Sequence, residues 1–89
     1  MIGQLVKAKA GHDKDTLYVV FREAGEFVYL CDGKTKTPDK CKKKSKKHIQ
    51  LINAFVSREL IEKIEKNETI YPEEIKFELK KYLISKDKK

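Results

Sequence analysis

The side chains best equipped for chemistry in this sequence are lysines, and they are concentrated. Between Lys34 and His48 stand Lys34, Lys36, Lys40, Lys42, Lys43, Lys44, Lys46 and Lys47, with Asp39 as the one acid. Like charges packed this densely repel one another unless a partner relieves them, and phosphates neutralised by such a block release their counterions. Anion binding is the chemistry this spacing offers. The rest of the chain agrees, with 21 Lys and Arg against 14 Asp and Glu and a net charge of +7. The sequence pI is near 9.4. Charge alone does not choose among nucleic acid, anionic lipid and an acidic protein surface. A solvated loop whose lysines serve only solubility is the bland alternative.

The kind of lysine-rich contact can be narrowed. Arg22 and Arg58 are the only arginines, so planar forks that read base edges are scarce, and lysines act as mobile point charges. Contacts to phosphates and to RNA shape, with weak base specificity, are expected. His48 closes the basic segment. A second candidate contact is the polar turn of Gly11, His12 and Lys14, where backbone amides and both side chains could lie against an RNA backbone; a plain hairpin turn competes with it. Tyr18, Tyr29, Phe21 and Phe27 could stack on bases if they faced outward, but strand aromatics in a chain this short more often fill the core. Tyr18 and Tyr29 are the better candidates of the four.

Other chemistries find little support. Cys31, Cys41, His12 and His48 carry metal-ligating atoms, yet no close Cys-x-x-Cys pair preorganises a structural zinc site, so no metal and no cofactor are expected. Two cysteines in a lysine-rich chain suit a reducing cytosol, with free thiols and a cytoplasmic location. No run approaches the ~18 apolar residues of a membrane span, and Met1 to Ala10 lacks the apolar core of a secretory signal. Gly-rich phosphate loops, Gly-x-Ser-x-Gly elbows and His-Glu-x-x-His pairs are missing, so neither catalysis nor a small-molecule substrate is expected.

These side chains need a scaffold, and 89 residues suffice for one modest core. Leu5 to Ala10 alternates with period two and places Val6, Ala8 and Ala10 inward. Leu17 to Arg22 and Phe27 to Cys31 are rich in β-branched and aromatic residues and flank a turn at Ala24-Gly25-Glu26. Asp32-Gly33 favours a two-residue hairpin turn with two positive φ angles, which predicts a fourth strand over Lys34 to Thr37. Pro38 ends that strand, leaving an exposed basic loop over 38–47, and Ile49 and Leu51 begin a fifth strand.

The period then changes. Ser57 is an N-cap for a short helix running to Asn67, with Leu60, Ile61 and Ile64 on one face. Pro72 opens a second helix whose Glu73 and Glu74 lie at its positive end and Lys80 and Lys81 toward its negative end. Ile75, Leu79, Tyr82 and Leu83 form one stripe, with Phe77 and Ile84 nearly opposite, so this helix is expected to be sandwiched between a barrel of these strands and the first helix. Phe77 and Ile84 become a protein contact if they face solvent. Residues 85–89 should fray.

Several segments along the chain carry a resemblance to a known family. Gly3-Gln4-Leu5-Val6, Ala10-Gly11-His12-Asp13-Lys14 and Tyr18-Val19-Val20 resemble a KOW motif, found in small SH3-like β-barrels. Leu30-Cys31-Asp32-Gly33-Lys34, the lysine run, Lys47-His48-Ile49-Gln50, and the C-terminal Glu74-Ile75-Lys76 and Leu79-Lys80-Lys81-Tyr82 are similar to bacterial KOW-domain proteins related to archaeal and eukaryotic large-subunit ribosomal proteins. Asp15 departs from the pattern, standing where the family commonly has glycine. The resemblance implies a fold of mostly β with α: an SH3-like barrel of about five strands over 1–52, then a two-helix extension over 53–84. It implies RNA binding on or near the ribosome, to ribosomal RNA, without catalysis or cofactor. The alternative is a protein-interaction KOW module of the transcription machinery, similar to NusG-type elongation factors, with the lysines serving solubility.

Overall fold

A computed structural model describes residues 1–9, 16–34 and 36–87. Five strands, β1 (Gln4–Ala8), β2 (Leu17–Ala24), β3 (Phe27–Cys31), β4 (Lys42–Ser45) and β5 (Ile49–Phe55), form one sheet in the order β4-β3-β2-β1-β5. Every ladder is antiparallel. Two helices follow, α1 (Arg58–Glu65) and α2 (Pro72–Asp87). The molecule is a small mixed α/β domain.

Strand alternation builds two apolar layers. Leu5 pairs with Val19 and Val19 with Cys31, and this face packs against Val56, Leu60, Ile70, Ile75 and Leu79 from the helical half. The opposite face carries Val6, Ala8, Tyr18, Val20, Val28, Leu30 and Ile49, which bury one another with no helical residue in the cluster. Among the described residues no second layer covers this face, so these side chains shield one another as the sheet curls. Register shifts between Gln4 and Val6 and between Val20 and Arg22 supply the bend, because a bulged strand kinks and twists. The two edge strands, β4 and β5, share no ladder, so the sheet curls without closing. The expected closed barrel is therefore replaced by an open five-stranded sheet. Val6 and Ala8 face inward as expected, but Leu5 is equally buried, beneath the helices. Ala10 lies outside the described residues.

The fourth strand is not where the Asp-Gly pair predicts. Gly33 has φ +77°, but no residue beside it among those described shares a positive φ, so the two-residue turn does not form. Asp32 Oδ1 instead accepts the backbone N–H groups of Lys34 and Lys36, at 2.8 and 2.9 Å. The Lys36 carbonyl accepts from the N–H groups of Asp32 and Gly33. A side chain that satisfies nearby donors competes with ladder formation. The chain runs on through a 3-10 turn at Pro38–Lys40 and pairs with β3 only from Lys42. The lysine segment is thus not a loop over 38–47: its centre is strand β4, followed by a second 3-10 turn at Lys46–His48.

The helices start and stop as their residues dictate. Ser57 Oγ accepts the Leu60 N–H at 3.3 Å, and Asn67 takes φ +57° beyond the end of α1, a position that suits asparagine. Glu74 joins the two helices: it accepts the Tyr71 N–H at 3.0 Å and the Lys63 ammonium at 2.9 Å. Ile75 and Leu79 are buried, whereas Phe77 is 62% and Ile84 50% exposed. The expected sandwich is therefore one-sided, because the sheet and α1 both lie against the Ile75 face. Helix α2 also continues through Ser85 and Lys86 to Asp87, where a frayed tail was expected. No helix among the described residues is long and apolar enough to cross a membrane.

Candidate nucleic-acid interface

The lysine run is positioned by its pairing with β3. Leu30 opposes Lys42, Val28 opposes Lys44, Tyr29 opposes Lys43 and Phe27 opposes Ser45. Directly opposed residues share a sheet face, so the run is split. Lys42 and Lys44 lie half-buried on the face of Val28 and Leu30, at the rim of the curled core. Burial, with the charge of Lys44 beside it, lowers the pKa of Lys42. Lys43 lies on the opposite face, the one shared by Phe27, Tyr29 and Cys31, its ammonium 4.4 Å from the centre of the Phe27 ring. Arg22 lies 5.5 Å from the centre of the Tyr29 ring on the same face.

The 3-10 turn adds the next cations. Ser45 Oγ accepts the Lys47 N–H at 3.3 Å and anchors the turn. Lys46 bonds Glu23, which holds that carboxyl below its ordinary pKa. Lys47 and His48 are exposed, and the His48 carbonyl accepts from the Lys9 N–H at 2.9 Å, tying the turn to the end of β1. Lys43 and Lys47 are therefore exposed cations on and just beyond β4, while Lys44 lies half-buried on the other face of the sheet.

The remaining candidates are dispersed. Lys40 is exposed at the end of the first 3-10 turn and lines a groove with Phe21, Arg22 and Tyr29. Asp39, Glu65 and Glu68 line the same groove, so it is mixed in charge and a poor seat for phosphate. Lys34 is exposed and lines a separate groove with Lys76 and Lys80 over Leu79 and Leu83. Lys36 is half-buried in the Asp32 turn. Gly11, His12 and Lys14 lie outside the described residues.

No protein-family model and no curated protein sequence matches this chain.

The aromatic candidates change places. Tyr18 is 1% exposed and belongs to the curled core, while Phe27 is 40% exposed. Tyr29 is half-buried beside Arg22. The alternation of Phe27-Val28-Tyr29-Leu30-Cys31 carried part of this signal, since Val28 and Leu30 claim one face and put Phe27 and Tyr29 on the other, with Cys31. Arg22 and Phe27 are the residues that lysine counting alone passes over. Among the described residues, no group of three or more His, Cys, Asp or Glu side chains gathers to hold a metal ion.

Proposed function

We propose that this chain is a non-catalytic RNA-binding protein of the KOW type, acting on ribosomal RNA or at the ribosome, with its contact surface on β4 and the turn that follows. The observation that carries the proposal is the ordering of the lysine run: Lys42 to Ser45 is a paired strand. A strand sets its cations at fixed intervals and removes part of the entropy that a loop would lose on binding. Lysine ammoniums grip phosphates without reading bases, and Phe27, capped by Lys43, adds at most one stacking surface. The SH3-like part of the proposal draws support from connectivity. β1 sits between β2 and β5, so the antiparallel meander of β1 to β4 gains its fifth strand on the far side of β1, an order compatible with a five-stranded SH3-like fold.

Binding of the full chain to ribosomal RNA, measured across a salt series, tests this. Affinity is expected to fall steeply with salt, and replacing Lys42, Lys43, Lys44, Lys46 and Lys47 together with Gln should remove most of it. The log–log salt slope should also flatten by roughly 0.7–0.9 for each phosphate that the variant no longer neutralises. Salt-insensitive binding, or full binding by the five-fold variant, sinks the proposal.

Exposed Phe77 and Ile84 favour a second reading, a KOW module that docks on a protein of the transcription machinery. RNase-treated pull-downs separate the two. Polymerase subunits retained without ribosomal RNA support the second, and a pull-down dominated by ribosomal RNA supports the first.

A further inference from the structure

Cys31 ends β3 and Cys41 stands just before β4. Leu30 opposes Lys42, so Cys31 and Cys41 occupy the next opposed positions of the same antiparallel pair. Their Sγ atoms are 2.9 Å apart. A disulfide requires about 2.05 Å, and the Cα spacing of directly opposed antiparallel residues falls within the range a disulfide spans. The intervening backbone is already folded back through the Asp32 turn, and both thiols point toward its carbonyls, Cys31 to Thr37 and Cys41 to Pro38.

We propose that Cys31 and Cys41 form an oxidation site, a dithiol that a peroxide converts reversibly into an intrachain disulfide fastening the lysine strand to the core strand. This goes beyond the RNA-binding proposal and does not depend on it.

The two sulfurs are not equivalent. Cys31 is fully buried, whereas Cys41 is half-buried and lines the groove beside Arg22. The hydrogen bond with Cys31 and the Arg22 charge favour the Cys41 thiolate against the cost of burial, while the Cys41 sulfur and burial hold Cys31 protonated. Cys41 is therefore the attacking sulfur and Cys31 the resolving one. The Cys41 thiolate attacks a peroxide oxygen; an S–O bond forms, the O–O bond breaks, and the departing hydroxide takes a proton to become water. The Cys31 sulfur then attacks the sulfenic sulfur. The S–S bond forms as the S–O bond breaks, and the hydroxyl leaves as water with the Cys31 proton. The two thiols lose two electrons, and the peroxide is reduced to two waters.

The experiment treats the full chain with hydrogen peroxide and follows thiol count and intact mass. Both thiols should disappear together with a mass loss of about 2 Da that a dithiol reductant reverses, and Tm should rise by several degrees because a closed loop constrains the unfolded chain. In Cys31→Ala, Cys41 should gain about 16 Da or more instead, as sulfenic or higher acids. In Cys41→Ser, the buried Cys31 should react at least about tenfold more slowly than Cys41 does in Cys31→Ala. Persistent free thiols in the wild type, oxygen gained without loss of two hydrogens, or disulfide-linked dimers would each overturn the proposal.

Discussion

Gly33 illustrates how a single residue sets the position of the basic surface. Its φ of +77° lies where a side chain is strained, and a Cβ there would come within 2.6 Å of the Pro72 carbonyl oxygen and 2.9 Å of the Lys76 nitrogen, both backbone atoms of α2. Gly33→Ala must therefore both strain the turn and push on the helix. A loss of about 2–4 kcal/mol in denaturant-unfolding stability is expected, and a loss below about 0.5 kcal/mol would show that the turn and helix give way freely. Glu74 makes a second residue-level prediction. The Tyr71 N–H first, then Lys63, hold its carboxyl below the ordinary 4.5. A depressed carboxyl pKa stabilises the fold above its unfolded value, and that contribution is lost as the pH falls through its folded value. The stability difference between the wild type and Glu74→Gln should be full at neutral pH and shrink once the pH drops below 4.5. A difference that stays constant down to about pH 3 contradicts the assignment.

Among the elements, β4 has two duties. It is an edge strand, and edges of this kind invite pairing with a second chain. Lys42 and Lys44, opposed to Leu30 and Val28, put charge at the rim of the apolar face, where their stems can cover the core while the ammoniums reach water. Lys42→Val with Lys44→Val should extend the apolar face to the edge and drive self-association, visible as a concentration-dependent mass in light scattering. A strictly monomeric variant would show that other features guard the edge. The strand itself was hidden in the sequence because a lysine run has no apolar alternation of its own. Its strand character comes from β3, whose Val28 and Leu30 provide the face on which the lysine stems lie. By contrast α1 was legible from Ser57 and the spacing of Leu60, Ile61 and Ile64, since cap and stripe are local properties.

For the molecule as a whole, the two apolar layers share β1, β2 and β3, with Leu5, Val19 and Cys31 on one side and Val6, Val20 and Leu30 on the other. Neither layer can come apart without exposing the back of the other. Heat or denaturant should therefore unfold the molecule in one transition, with Tyr18 in the curled layer and the helices reporting the same midpoint. Ile75→Ala, beneath α2, should lower that shared midpoint through a loss of about 2–5 kcal/mol. Separate midpoints for sheet and helices would mean that the layers are independent. Phe77 and Ile84 lie outside both layers, which is why neither enters this prediction.

By itself the sequence determined the element types wherever local chemistry was strong: the first three strands, the capped α1, the Pro72 start of α2, and a concentration of cations. Tertiary structure decided what those cations became. Asp32 commits its carboxylate to the N–H groups of Lys34 and Lys36, the hairpin lengthens, and pairing with β3 then puts Lys42 and Lys44 on one face of the sheet and Lys43 on the other. It also decided that Tyr18 is core and Phe27 surface, and that Cys31 meets Cys41. The physical reason is that register is non-local. Shifting a strand by one residue exchanges its faces, and register depends on contacts between strands that no window along the chain contains.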